Sequence, residues 1–189
     1  MNVNPLYHKS DTALNEELLW IRRAQKDPTD FAPLYKEYHE KIFRYIYQRM
    51  DDKDLAYDIT SQVFIKAMHS IKKYEYRGVP FSAWLYRIAK SELYQSFREQ
   101  KTNRVVNIET YQLFEVSEEI EDDNSGENKS MLIKALSKLK EADLQLIELR
   151  FFEKRSFREI GDILELTENN AKVKTFRALE KLKKMITNK

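Results

Sequence analysis

The sequence predicts an all-α protein, with two small helical domains joined by an acidic, flexible linker. Its 189 residues include only three glycines and four prolines, too few for the turns of a strand-rich fold. Apolar residues recur at helical spacing instead, most clearly Leu55, Ile59, Val63, Ala67 and Ile71, each four positions on. Charge then divides the chain. Residues 31–104 carry 14 basic and 9 acidic side chains, residues 105–128 carry none and 8, and residues 129–189 carry 15 and 9. A formal net charge of +2 conceals two basic helical blocks on either side of a wholly acidic segment. Such segregation suits two nucleic-acid-binding domains on a tether.

A tail over residues 1–13 precedes the first helical pattern, residues 14–26, which Asp27 and Pro28 end. The second helix, residues 31–50, is rich in aromatic residues, among them Phe31, Tyr35, Tyr38, Phe43 and Tyr45. After Asp51 and Asp52 a third runs over 53–73, its stripe widened by Phe64 and Met68. Gly78 and Pro80 mark residues 74–80 as a loop. The fourth helix, 81–101, turns Leu85, Ile88 and Ala89 inward and completes a bundle domain at 14–102. Between 103 and 128 no apolar period is sustained, and carboxylates dominate, so this stretch reads as the linker. Met131, Ala135 and Leu139 then mark one helix, and Leu144, Ile147, Leu149 and Phe151 the next, in a second domain at 129–189.

The richest segment is 156–184. Ser156 can cap a helix, with Glu159 three residues on to close a capping box. Ile160, Ile163 and Leu164 give that helix its apolar stripe. Leu166 falls at a short turn, and Thr167 caps the next helix, with Glu168 in its first turn. Gly161, lacking a side chain, lets the second helix approach closely. Ala171, Thr175, Ala178, Leu182 and Met185 share one face of that helix. Asn169, Asn170, Lys172, Val173, Phe176 and Arg177 are left to the other face or its flanks, with Lys174 beside them and Arg155 and Arg158 just upstream. Asn can bond adenine edges, Arg can bond guanine or phosphate, and Lys neutralises phosphate. A basic amphipathic helix alone is commonly a solvated face. The capped helix and tight turn before it make this a helix-turn-helix, whose partner is duplex DNA.

A second segment interleaves aromatic and basic side chains. Tyr74, Tyr76, Phe81, Trp84 and Tyr94 stand among Lys72, Lys73, Arg77, Arg87, Lys90 and Arg98. Unstacked bases need flat partners and their backbone needs cations, so this composition suits single-stranded nucleic acid. Phe81 and Trp84 equally suit a core, whereas Tyr74, Tyr76 and Arg77, on a loop, suit binding.

Enzymatic chemistry finds no support. The chain has no cysteine, which removes disulfides, thiolate metal sites and a cysteine nucleophile. His8, His39 and His69 are scattered, and glycines at 78, 126 and 161 cannot make a phosphate-cradling loop. No catalytic residue, metal or cofactor is expected. Residues 1–20 include Asp11, Glu16 and Glu17 and no apolar run, so no secretory signal is read there. No stretch reaches the ~20 apolar residues of a membrane span. A cytoplasmic protein without membrane insertion is expected.

In this order the parts resemble the sigma-70 family of bacterial transcription initiation factors, in its small two-domain extracytoplasmic-function branch. The resemblance covers about residues 14–101 and 130–185. Residues 55–68 are similar to the family's helix that grips the clamp of the polymerase largest subunit. That likeness implies polymerase contacts at Asp54, Asp58, Ile59, Gln62, Val63 and Phe64. Residues 81–90 are similar to the helix that engages the melted minus-ten element, and loop 74–80 to the base-capturing specificity loop. Melted-strand contacts are thereby implied at Lys73, Tyr74, Tyr76, Arg77, Phe81, Trp84, Arg87, Lys90, Ser91, Tyr94 and Arg98. Residues 149–182 are similar to the domain that reads the minus-thirty-five element.

The resemblance implies core RNA polymerase as partner, through its clamp and the flap of its second-largest subunit, together with promoter DNA. It leaves room for an anti-sigma factor or a recruiting factor. It also implies that the acidic linker threads the polymerase channel that RNA later fills. Departures stand at Gln62, Ser91 and Gln95, where the family usually has Glu, Asn and Asp. Others are Glu165 in place of a turn glycine, and Asn169, Asn170 and Ala171 in place of Gly, Thr and Val. Without glycine, Glu165 must take up the turn conformation at some steric cost. The alternative reading is a helix-turn-helix regulator that binds duplex DNA without polymerase. A nucleic-acid-processing enzyme lacks the metal or nucleophile constellation it would need.

Overall fold

The computed structural model describes residues 11–100, 104–105, 110–119 and 126–187, and among these every regular element is helical. The chain divides into two compact units, Met1–Arg104 and Val105–Lys189. Of the expected tail over residues 1–13, residues 1–10 lie outside the described residues, as does the acidic run at 121–123, while residues 11–13 belong to the first helix.

The N-terminal unit holds α1 (Asp11–Lys26), α2 (Ala32–Tyr47), α3 (Lys53–Ser70) and α4 (Phe81–Gln100). The breaks between them follow from local chemistry. Asp27 accepts the Thr29 N–H at 2.9 Å and starts a 3-10 turn over Pro28–Phe31. These bonds hold the Asp27 carboxyl below its ordinary value. Asp52 accepts the Leu55 N–H at 2.9 Å and starts α3. Ile21, Leu34, Tyr38, Ile42, Ile46, Val63, Ile71, Phe81 and Leu85 fill the core. Arg49 is buried with them, its guanidinium 3.6 Å from the Tyr45 ring centre.

The C-terminal unit holds α5 (Thr110–Glu119), α6 (Gly126–Lys138), α7 (Glu141–Ile147), α8 (Phe157–Leu164) and α9 (Glu168–Thr187). A π-helical turn over Glu148–Phe152 extends α7. Its core joins Leu113, Val116, Leu132, Leu136, Leu144, Ile147, Phe151, Phe152, Leu179, Leu182 and Ile186.

Helix α5 changes the reading of residues 103–128 as a flexible linker. It places Leu113 and Val116 three positions apart on one face, both buried in that core. Burying such a side chain contributes ~1.5–3 kcal/mol, enough to hold a ten-residue helix that is marginal alone. Glu115, on the same helix, pairs with Lys154. Burial pulls the Lys154 ammonium below its ordinary value.

Candidate nucleic-acid interface

The helix-turn-helix forms as its capping residues require. Ser156 Oγ accepts the Glu159 N–H at 3.2 Å, while the Glu159 carboxylate accepts the Ser156 N–H at 2.9 Å. Glu165 ends α8 in the left-handed conformation, φ 58° and ψ 44°. Thr167 Oγ1 accepts the Asn170 N–H at 3.2 Å and caps α9. A methyl group at Gly161 would meet the Leu166 carbonyl oxygen at 2.8 Å and the Glu168 nitrogen at 3.3 Å. The absent side chain is therefore what lets the turn and the start of α9 lie against α8.

Helix α9 is amphipathic in the expected register. Ala171, Thr175, Ala178, Leu179, Leu182 and Ile186 are buried. Ile186, not Met185, closes the inner face, for Met185 is 46% exposed. Asn169, Asn170, Lys172, Val173, Lys174, Phe176 and Arg177 are all exposed on the other side. Arg158 is exposed too. Arg155 is more tightly engaged, donating to Glu159 at 3.1 Å and to the Glu153 carbonyl at 2.6 Å. Its guanidinium is tied to the capping box rather than held out toward a duplex. Phe157 went unnoticed in the sequence. Its ring lies 6.0 Å from Phe176 and under the Arg150 guanidinium at 4.4 Å. The exposed face of α9 thus carries a braced aromatic side chain.

In the N-terminal unit, loop 74–80 leads into α4. Gly78 takes φ 74°, which glycine adopts without strain. Val79 is buried, whereas Lys73, Tyr76 and Arg77 are exposed. Along α4, Ser91 and Arg98 are exposed and Trp84, Arg87, Lys90 and Tyr94 half-buried. Phe81 is fully buried, its N–H donating to Glu17 at 3.0 Å and its ring against Phe31, Tyr38, Tyr74 and Trp84. It cannot stack on a base, which corrects its place among the melted-strand residues. Tyr74 is half-buried, packed edge-on to Phe81 at 5.1 Å.

The expected polymerase contacts divide in the same way. Asp54, Asp58 and Gln62 are exposed along α3. Val63 has no exposure, and Ile59 with 6% and Phe64 with 5% reach the surface only as lining of two grooves, so the three make no continuous apolar docking strip. Grooves flank the exposed ridge. One, of about 310 Å³, is lined by Asp58, Gln62 and Lys66 with Glu92 and Gln95 of α4. The other, of about 440 Å³, is lined by Ser61, Ile65 and Met68 with Phe31 and Tyr35. Ile65 and Tyr35, 43% and 44% exposed, are the apolar surface that the α3 periodicity hid.

The Sigma-70 region 2 family model matches residues 34–102, and the Sigma-70, region 4 model matches residues 135–184. The chain is 30% identical over 180 residues to the extracytoplasmic-function RNA polymerase sigma factor BldN of Streptomyces coelicolor. That match covers 94% of this chain and 67% of BldN. The chain belongs to the sigma-70 family, in its extracytoplasmic-function branch. The sigma factor is also 27% identical to SigW of Bacillus subtilis, over 88% of its own length and 94% of SigW. It shares the fold of CnrH, solved in complex with the cytosolic domain of CnrY, with a TM-score of 0.58 at 18% identity. That likeness covers 88% of the sigma factor and 94% of CnrH. As a member of this family, the sigma factor is a transcription initiation factor that binds core RNA polymerase and promoter DNA and directs promoter recognition and strand opening. Among its described residues no helix is long and apolar enough to cross a membrane, and no carboxylate–histidine cluster could hold a metal.

Proposed function

We propose that the two units divide the work of initiation. The N-terminal unit docks on the polymerase clamp through Asp54, Asp58 and Gln62, with Ile65 and Tyr35 as apolar anchor. Tyr76 and Arg77 take up bases of the melted minus-ten strand, and Lys73, Arg87, Lys90 and Arg98 neutralise its backbone. The C-terminal unit lays α9 in the major groove of the minus-thirty-five element. The observation that carries this reading is the exposure pattern of α9. All seven of its nominated side chains face solvent, while the positions between them fill the core.

On this reading the chain has no active site of its own, and the polymerase performs the chemistry in the cytoplasm. CnrH is solved with a protein partner, and we extend to this chain a regulatory partner of that kind, an anti-sigma or a recruiting factor. Footprinting on promoter fragments tests the reading. Protection of both elements is expected only when core polymerase is present. Sequence-specific protection by the chain alone would favour a stand-alone regulator instead.

A further inference from the structure

Helix α1 lies outside the region 2 match, which begins at residue 34. Yet α1 reaches both ends of loop 74–80. At the entry, the Gln25 side-chain amide donates to the Ile71 carbonyl at 3.1 Å and the Tyr74 carbonyl at 2.9 Å. At the exit, the Glu17 carboxylate accepts the Phe81 N–H at 3.0 Å and the Tyr38 hydroxyl. Glu17 is 1% exposed.

Both contacts suit their chemistry. Phe81 opens α4, so its N–H has no partner within the helix, and the positive end of the helix dipole favours a carboxylate there. The Gln25 amide supplies two donors to two carbonyls that bracket the 3-10 turn over Ile71–Lys73, Ile71 at its start and Tyr74 just past its end. Eight positions separate Glu17 from Gln25, about 12 Å along a helix axis. Seven residues can span about 24 Å when extended. A loop of that length, held at both ends by one helix, must bow outward. Glu75, Tyr76 and Arg77, at its middle, are the exposed residues.

We propose that α1 is the positioning element of this loop, with Gln25 and Glu17 fixing its two ends so that Tyr76 and Arg77 meet melted DNA preformed. This rests on the base-capturing role given to the loop above. Pre-ordering matters because a loop that must be immobilised on binding loses affinity to the entropy of ordering. Gln25 and Glu17 touch no base; they act through the backbone of the loop.

The test uses the full chain bound to core polymerase. Gln25→Met keeps length and volume but donates no hydrogen bond. Open-complex formation, followed by permanganate reactivity of unpaired thymines, should slow about fivefold or more on duplex promoter, the effect two lost hydrogen bonds command. On a template already mismatched at the minus-ten element the rate should recover to within about twofold of wild type, because unstacking is no longer needed. Polymerase affinity and circular dichroism should be unchanged. Glu17→Gln, which keeps one acceptor oxygen but gives up the charge that the start of α4 favours, should slow opening on duplex promoter in the same direction and recover on the mismatched template. An equal loss on both templates, weaker polymerase binding, or no effect of Gln25→Met would each overturn the proposal. Tyr76→Ala, run in parallel, separates the two readings. If Tyr76→Ala slows duplex opening and Gln25→Met does not, only the bracket falls. If neither slows it, the base-capturing loop falls and the bracket with it.

Discussion

The Leu166 N–H donates to the Gly161 carbonyl at 2.8 Å, closing a turn in which Glu165, the residue before Leu166, is held at φ 58°. The turn therefore needs a missing side chain at one position and tolerates strain at another. A Cβ at Gly161 would press on the Leu166 carbonyl, which is backbone and cannot rotate away. Gly161→Ala should destabilise the C-terminal unit by ~1–3 kcal/mol. Glu165→Gly should relieve a left-handed residue and stabilise by up to about 1 kcal/mol, less what glycine adds to the unfolded chain. Urea unfolding of both variants checks the pair, and an unshifted midpoint for Gly161→Ala would break the link.

That turn was legible because its signals are local. Ser156 and Glu159 lie three residues apart, and Thr167 and Asn170 do too, so capping chemistry sets the boundaries directly. Helix α5 was hidden because its signal is tertiary. Leu113 and Val116, in a stretch with no sustained apolar period and many carboxylates, look like part of a tether until the core with Phe151, Phe152 and Leu132 takes them in. The same limit misplaced Val63, which has no exposure. Period four finds the buried face of α3, not the side that meets a partner. Gln25 and Glu17 carry no sequence signal for this role, because the backbone groups they hold lie 46 or more positions away.

Helix α5 yields its own expectation. Leu113→Asp would place a carboxylate in the apolar core beside Val116. It should cost ~2–5 kcal/mol, the range for losing a buried leucine. Glu115→Ala removes only a partly exposed ion pair and should cost under about 1 kcal/mol. Thermal unfolding of the full chain checks both. Equal, small effects would mean that the segment does not dock.

Polymerase docking should follow the exposed ridge of α3 rather than its buried stripe. Asp58→Arg with Gln62→Arg should weaken core polymerase binding by about tenfold or more, by reversing one charge and adding another at the rim. Circular dichroism should stay normal, since both side chains are exposed. Val63→Ala should instead lower stability, by ~0.5–3 kcal/mol. Undiminished binding of the Asp58 and Gln62 variant would move the docking surface elsewhere.

Strand opening should depend on the middle of loop 74–80. Tyr76 is 42% exposed, and Arg77 beside it is exposed too. Tyr76→Ala with Arg77→Ala should forfeit ~1–3 kcal/mol of stacking per captured base. The defect should show on duplex promoters and largely vanish on a pre-melted template. A defect of the same size on both would assign these residues to general affinity.

The proposed duplex-reading helix, α9, allows the sharpest separation of roles. Asn170 lies in the first turn of α9, its own N–H capped by Thr167, so its exposed side chain is held at the end that enters a major groove first. A carboxamide there can make the two-ended contact to adenine, whereas Lys174, further along, offers only a point charge. Asn170→Ala should therefore cost ~1–3 kcal/mol at one base position and relax preference there. Lys174→Ala should weaken all sequences alike and flatten the salt dependence. Transcription by holoenzyme across a library of minus-thirty-five variants distinguishes them. A uniform loss for Asn170→Ala, with base preference intact, would show that α9 positions the protein without reading sequence. Promoter choice would then rest on the minus-ten loop or on a recruiting factor.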